Sequence, residues 1–158
     1  MKHLVFTVKD EKFAIDIMRI VEILNPVDVH TIPDLPPFID GVINLRGNII
    51  PIINLRKRFD IDEPSEKARI IIIRFDNESV GLLVDSVVEI KELETEQISR
   101  PSRLFRGFRA EFIKGIANPG KEDVIIIMDI DKVLTTEEIV KLKESSKQLE
   151  KDLLDDRG

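Results

Sequence analysis

The stretch LVFTVKDEKFAIDIMRIVEI (4–23) lies over IIIRFDNESVGLLVDSVVEI (71–90) at a shift of 67 residues, without a gap. Only Glu11/Glu78, Val21/Val88, Glu22/Glu89 and Ile23/Ile90 are identical, yet the apolar positions and the polar break largely coincide. The same local grammar runs through both copies. LVFTV (4–8) alternates, KDEK turns, and FAIDI (13–17) alternates back, as a hairpin does. RIIIIRF (69–75), DNES and VGLLV (80–84) repeat the scheme, and β-branched strands at Ile20–Ile23 and in SVVEIKEL follow. Farther on, GVIN (41–44) is matched by GIAN (115–118), each leading through a turn to an isoleucine-rich return. The ordered agreement points to a duplicated small β unit.

Between these strands, NPVDVHTIPDLPPF (25–38) carries four prolines in fourteen residues and reads as an extended connection. Gly41 opens the next strand, and Gly47-Asn48 supplies a tight turn. Pro51 has no amide donor, so its strand is expected at an edge or locally bulged. DIDEPSEK is a charged linker, and FIKGIA pairs with VIIIMDI across NPGKED. Ile70–Ile73 and Val124–Met128 are continuous apolar runs, which predict strands buried on both faces. An antiparallel protein needs a second sheet to bury them, so two small barrels or sheets pressed together are expected. The period then changes. TTEEIVKLKESSKQLEKDLLDDRG begins as a capped helix does, with Ile139, Leu142, Leu149 and Leu153 on one face and Ser146 interrupting it.

Composition narrows the class. The chain has 158 residues, 42% of them hydrophobic, which suits one folded domain or two small ones sharing a core. No apolar run approaches the roughly 20 residues of a membrane helix, and MKHLVFTV enters a strand pattern directly, with no signal peptide. There is no cysteine for disulfides or thiolate metal sites, which fits a cytoplasmic setting. The formal charge of −6 and the absence of Trp and Tyr argue against a nucleic-acid-binding β-barrel. Arg100, Arg103, Arg106 and Arg109 recur every three residues and read as a solvated basic loop.

Residues for catalysis do not converge. His3 and His30 share no metal spacing and read as surface residues. Asp10, Glu11, Asp76 and Glu78 fall in hairpin turns, where acids serve turn geometry and solubility. Asp129 and Asp131 precede a short helical turn, and no phosphate loop, nucleophile elbow or zinc motif occurs. No enzyme activity, metal or cofactor is expected.

GVINLRGNIIPIINLRKRF (41–59) is the most patterned stretch, and it resembles the CheW family of chemotaxis coupling proteins and the related regulatory domain of the CheA kinase. LVFTV with FAIDIMRIVEI, VGLLVDSVVEI, and KGI followed by VIIIMDIDKVL come in the family's order, over about residues 4 to 145. The resemblance implies a mainly β fold of two five-stranded SH3-like barrels around a shared core, with a C-terminal helix over 135–154. The expected division is two barrel subdomains whose strands intermix, a first mainly in 13–66 and a second mainly in 67–134 with an N-terminal contribution. It implies a non-enzymatic adaptor whose partners are the cytoplasmic tip of chemoreceptors, in a groove between the barrels, and the CheA-type kinase regulatory domain, at the second barrel. Such a protein is cytoplasmic, recruited to membrane-associated receptor arrays without inserting. A variant of this reading is an adaptor of a chemosensory system governing surface motility or another output.

Carried over from the family, Glu22 and Arg46 form a charge pair important to function. An arginine fork holds a carboxylate by two parallel bonds, and here it is expected to fix the Pro-rich connection against the barrel. Gly41 permits close approach of a backbone, a partner's included. Ile20, Val87 and Ile90 match apolar positions linked to receptor or kinase binding, while Asn44 and Gly47 complete the turn. Glu89 stands in the second copy where Glu22 does, without an arginine to match Arg46.

Overall fold

The computed structural model describes residues 1–64, 68–100, 110–120, 123–135 and 137–144. Among the described residues there are eleven strands: β1 (Lys2–Val8), β2 (Glu11–Asp16), β3 (Ile20–Leu24), β4 (Ile39–Leu45), β5 (Asn48–Asn54), β6 (Arg69–Phe75), β7 (Glu78–Val84), β8 (Ser86–Glu92), β9 (Ile98–Ser99), β10 (Ile113–Gly120) and β11 (Asp123–Met128). A one-turn helix, α1 (Leu55–Arg58), follows β5, and 137–144 form α2.

The strands form a six-stranded sheet, β8-β1-β2-β11-β10-β9, and a five-stranded sheet, β3-β6-β7-β5-β4. The predicted hairpins are all there. β1/β2 and β6/β7 turn through Lys9-Asp10 and Asp76-Asn77, all four with positive φ, the two-residue geometry that matches strand twist.

Neither sheet is confined to one side of residue 66, and strands from the two parts of the chain intermix. β1 and β2 open the first repeat, yet they pair with β8 and β11 of the second; β6 and β7 of the second pair with β3 and β5 of the first. Each repeat therefore lends its first hairpin to the other's sheet. The exchange keeps the 67-residue register. Leu4 faces Ile90 and Ile71 faces Ile23; Val5 faces Glu89 and Ile72 faces Glu22. Even the bulges correspond, at Val88 between the Glu89 and Val87 pairings and at Val21 between those of Glu22 and Ile20. A local sequence pattern defines hairpins but not which sheet a hairpin joins.

Burial follows from the exchange. Leu4, Phe6 and Val8 of β1 and Ile71, Ile73 and Phe75 of β6 enter one cluster shared by both sheets. The alternate residues turn the other way, Val5 into a core of the six-stranded sheet and Ile70 and Ile72 into a core of the five-stranded one. The continuous isoleucine run thus lies between two cores, as its sequence predicts. Stacked Phe6, Phe13 and Phe59, with centroids 5.8 and 5.2 Å apart, run through the shared core toward Phe112.

Pro51 is not on an edge strand, because β5 lies between β7 and β4. It faces Val42, whose own amide and carbonyl turn outward to His30, at 2.9 and 2.8 Å. That makes 42/51 a non-hydrogen-bonded pair, and pairing with β7 begins only at Ile52. The missing donor is therefore not needed.

At the C-terminus, Thr135 and Glu138 cap α2 reciprocally: Thr135 N donates to Glu138 Oε1 (2.6 Å) and Glu138 N to Thr135 Oγ1 (3.2 Å). Leu142 is buried and Ile139 packs against the shared core. Ser146, Leu149 and Leu153 lie outside the described residues.

Candidate partner-binding site

The β4–β5 hairpin ends in Arg46-Gly47, with φ of 50° and 86°. Both central residues are left-handed, and Asn44 Oδ1 accepts from Gly47 N at 3.0 Å, so Asn44 and Gly47 do complete the turn. The turn aims Arg46 back across the sheet. Its Nη1 donates to Glu22 Oε1 at 3.3 Å, and its Nη2 donates to Glu22 Oε2. Glu22 lies in β3 and Arg46 ends β4, the two edge strands of the five-stranded sheet. The fork therefore bridges the open seam of that barrel.

This corrects one expectation. The fork does not hold the Pro-rich connection; the antiparallel bridge from His30 to Val42 does. Side-chain exposure is 69% for Arg46 and 27% for Glu22, so the pair is a surface feature that water screens. The guanidinium bonds hold the Glu22 carboxyl below its ordinary range, with burial opposing weakly.

Gly41 does serve close backbone approach, but of this chain's own backbone. Its φ is +144°, and a Cβ there would stand 2.1 Å from the His30 carbonyl oxygen. Gly41 is buried under the connection. Ile20 and Val87 are repeat equivalents and pack, half-buried, against the shared core. Ile90 is 56% exposed.

The surface around Ile90 is repeated. Val21 and Ile23 on β3, and Val88 and Ile90 on β8, are all exposed, and both strands are sheet edges. Val21, Ile23 and Val88 were missed by sequence reasoning, although the tripeptide Val-Glu-Ile, identical in both copies, was the available signal. Asymmetry lies in the charges. Glu22 has its fork, whereas Glu89 meets no guanidinium among the described residues.

The other candidates find different employment. His3 is buried rather than surface-exposed, its Nδ1 3.1 Å from the Met1 carbonyl; His30 is exposed as expected. Asp129 accepts from Asp131 N, and Asp131 holds Arg19 at 2.8 and 3.3 Å, which lowers its own carboxyl below the ordinary range. Among the described residues no cluster of three or more His, Cys, Asp or Glu side chains fits a metal ion. Arg100 is exposed, and Arg103, Arg106 and Arg109 lie outside the described residues. No helix among the described residues is long and apolar enough to cross a membrane.

The two pseudo-symmetric halves are stiffened by a shared core and show apolar edge strands beside a charge fork. Comparison with known proteins identifies the kind. The family description of the CheW-like domain matches residues 2–138, and the chain belongs to that family. It is 32% identical over 143 residues to chemotaxis protein CheW of Treponema pallidum, covering 87% of this chain and 84% of that one. With chemotaxis protein CheW of Klebsiella aerogenes the identity is 36% over 140 residues, at 87% and 84% coverage. The crystal structure of the scaffolding protein TtCheW from Thermoanaerobacter tengcongensis superposes with a TM-score of 0.78 at 34% identity, covering 87% of this chain and 89% of that one.

Proposed function

We propose that this chain is a chemotaxis adaptor that couples the cytoplasmic tips of chemoreceptors to the regulatory domain of a CheA-type histidine kinase. It works by binding alone, without catalysis, in the cytoplasm at membrane-associated receptor arrays. The fork between Glu22 and Arg46 carries the reading, in a chain whose relatives are chemotaxis scaffolds. A paired guanidinium and carboxylate at the surface add little to stability, so their worth lies in what they present. Held across the seam, they fix the tip of the β4–β5 hairpin and offer a directional polar contact beside exposed Val21 and Ile23. Ile90, with Val88, supplies the second surface, on the six-stranded barrel. Ile20 and Val87 act from beneath, by supporting the edge strands.

The test is a pull-down of kinase regulatory domain and receptor tip by the wild type and by Arg46→Ala, with circular dichroism alongside. Reduced recovery of one partner with an unchanged spectrum is expected. Wild-type recovery of both removes Arg46 from the site.

A further inference from the structure

The inner cores of the two sheets are not filled alike. At the 67-residue shift His3 stands where Ile70 does and Val5 where Ile72 does, and in the matched GVIN and GIAN segments Ala117 stands for Ile43. Ile43, Ile70 and Ile72 close the core of the five-stranded sheet together with Ile50 and Ile52. In the six-stranded sheet Val5 and Ala117 are smaller and an imidazole replaces the third isoleucine. A cavity of about 260 Å³ lies beside that imidazole.

Three acceptors stand level along its wall. His3 is the direct partner of Asp16 across β1 and β2. β11 runs parallel to β2 with Ile127 level with Ala14, so the extended Asp129 comes level with Asp16. Val5, Ala14 and Ile127 belong to the inner core. His3, Asp16 and Asp129 are each two residues from one of them along extended chain and so face the same way. All three line the cavity.

His3 is the decisive member. It is only 4% exposed, and its Nδ1 lies 3.1 Å from the Met1 carbonyl, an oxygen that can only accept. Nδ1 therefore carries the hydrogen, and Nε2 of the neutral ring is a bare acceptor. Nε2 has no hydrogen-bond partner among the described residues. Those residues hold no side-chain nitrogen or oxygen that is both unpaired and sealed from solvent, so Nε2 opens on the cavity. Asp16 and Asp129 each use one oxygen on a backbone amide, of Met18 at 2.9 Å and of Asp131 at 3.2 Å, and keep the other. The cations nearby are mostly committed: the amino terminus donates to Glu92 at 2.7 Å, and Arg19 holds Asp131 at 2.8 Å. Among the described residues of the lining only Lys114 is a cation without an acid partner, and it is exposed. Leu93, Ile98 and Ile130 supply an apolar wall.

We propose that this cavity binds a small organic cation, a primary ammonium on a short apolar stem, with the ammonium held by His3 Nε2, Asp16 and Asp129. An ammonium brings three N–H donors and no acceptor, which matches three acceptors, two of them charged. A carboxylate would meet two carboxylates and a nitrogen lone pair. A second cation on the ligand would meet Lys114, so a monoamine is preferred to a diamine. The same acceptors do not form a cluster that fits a metal ion.

The test is a titration of the full-length protein at constant pH, read at His3 Nε2 by long-range proton–nitrogen NMR, with n-butylamine, putrescine, n-butanol and butyrate as probes. n-Butylamine is expected to shift the Nε2 resonance to saturation, putrescine to bind more weakly, and the alcohol and the acid to leave it in place. His3→Ile installs the residue of the other repeat, and Asp16→Asn removes a charge while keeping an acceptor for Met18 N. Each is expected to lower the affinity for n-butylamine about tenfold or more in calorimetry, the loss of one hydrogen bond to a charged group. Circular dichroism checks that both variants fold. An Nε2 resonance that n-butylamine does not saturate overturns the proposal. So does n-butanol binding as well as the amine, or an affinity unchanged in Asp16→Asn.

Discussion

Arg56 holds Asp85 through Nε and Nη2, at 2.8 and 2.5 Å, where the chain passes from β7 to β8 and so from one sheet to the other. The opposite crossing, from β2 to β3, is pinned by Arg19 to Asp131 at 2.8 Å. In both, the crossing reaches a helical turn that follows a strand of the sheet being left: α1 after β5, and Ile130–Lys132 after β11. The polarity is reversed between the two. A crossing joined to the wrong turn would set Arg19 against Arg56 and Asp85 against Asp131. Two near-equivalent halves are thereby told apart by charge.

Asp85 is the more telling partner to remove, because it also accepts from Lys9 N at 2.7 Å. Its side chain and that of Arg56 are both largely buried, at 13% and 16% exposure. Asp85→Ala removes the acceptor of the Arg56 Nε and Nη2 and of the Lys9 amide, an expected loss of about 1–3 kcal/mol in urea unfolding. Asp85→Asn keeps an acceptor and loses less. An unfolding midpoint equal to that of the wild type in both variants would show the crossing needs no pin.

The surface fork has its own pH signature. The Arg46 bonds favour the charged form of Glu22, so its folded pKa is below the unfolded one. Such a group contributes fully above the unfolded value, and the contribution is lost as pH falls through the folded value. The fork therefore stays closed through the ordinary glutamate range and opens only below it. Carbon-13 NMR of the Glu22 carboxyl follows this directly. Arg46→Ala is expected to move the midpoint up toward that of a glutamate with no guanidinium beside it; an unmoved midpoint would mean the two residues do not pair in solution.

Two glycines of one hairpin separate steric need from conformational need. Gly41→Ala drives a Cβ against the His30 carbonyl carbon and oxygen, at 2.7 and 2.1 Å, and should release the His30–Val42 bridge. Overpacking backbone in this way costs about 1–3 kcal/mol or more. A Cβ added at Gly47 would meet no atom within 4 Å beyond its chain neighbours, so Gly47→Ala meets only the cost of positive φ, about 1 kcal/mol. Thermal melts should place Gly41→Ala well below Gly47→Ala. The reverse order would remove the close approach as the reason for Gly41.

The hairpins were legible because alternation and turn residues are local, and the duplication because a shift of 67 aligns Leu4 with Ile71 and Val21 with Val88. The hairpin exchange was not, since Leu4–Ile90 and Ile23–Ile71 pairings are lateral and leave no local period. Glu22 and Arg46 were reached through a family resemblance, and the burial of His3 was missed because one histidine on an alternating strand carries no facing information. α1 went unread too, although Asn54 caps it, with Oδ1 accepting from Lys57 N at 3.2 Å.

Arg58 is the residue whose importance is least visible in NLRKRF, where it reads as one more surface cation. Folding makes it one of the two buried polar or charged residues among those described, at 7% exposure. It joins α1 of one barrel to Phe112 ahead of β10 in the other, and to Val133 and Glu138 of the C-terminal segment. Removing a guanidinium from such a place strands the carboxylate and empties the space between two rings, so Arg58→Ala is expected to cost about 3–5 kcal/mol. Glu138→Ala should cost less, because Arg58 retains the Val133 carbonyl and both ring faces while water reaches its Nη atoms once α2 loosens. Urea unfolding of the two single variants and the double variant gives the coupling between them. Strictly additive losses would mean that the ion pair to α2 has no share in what Arg58 contributes.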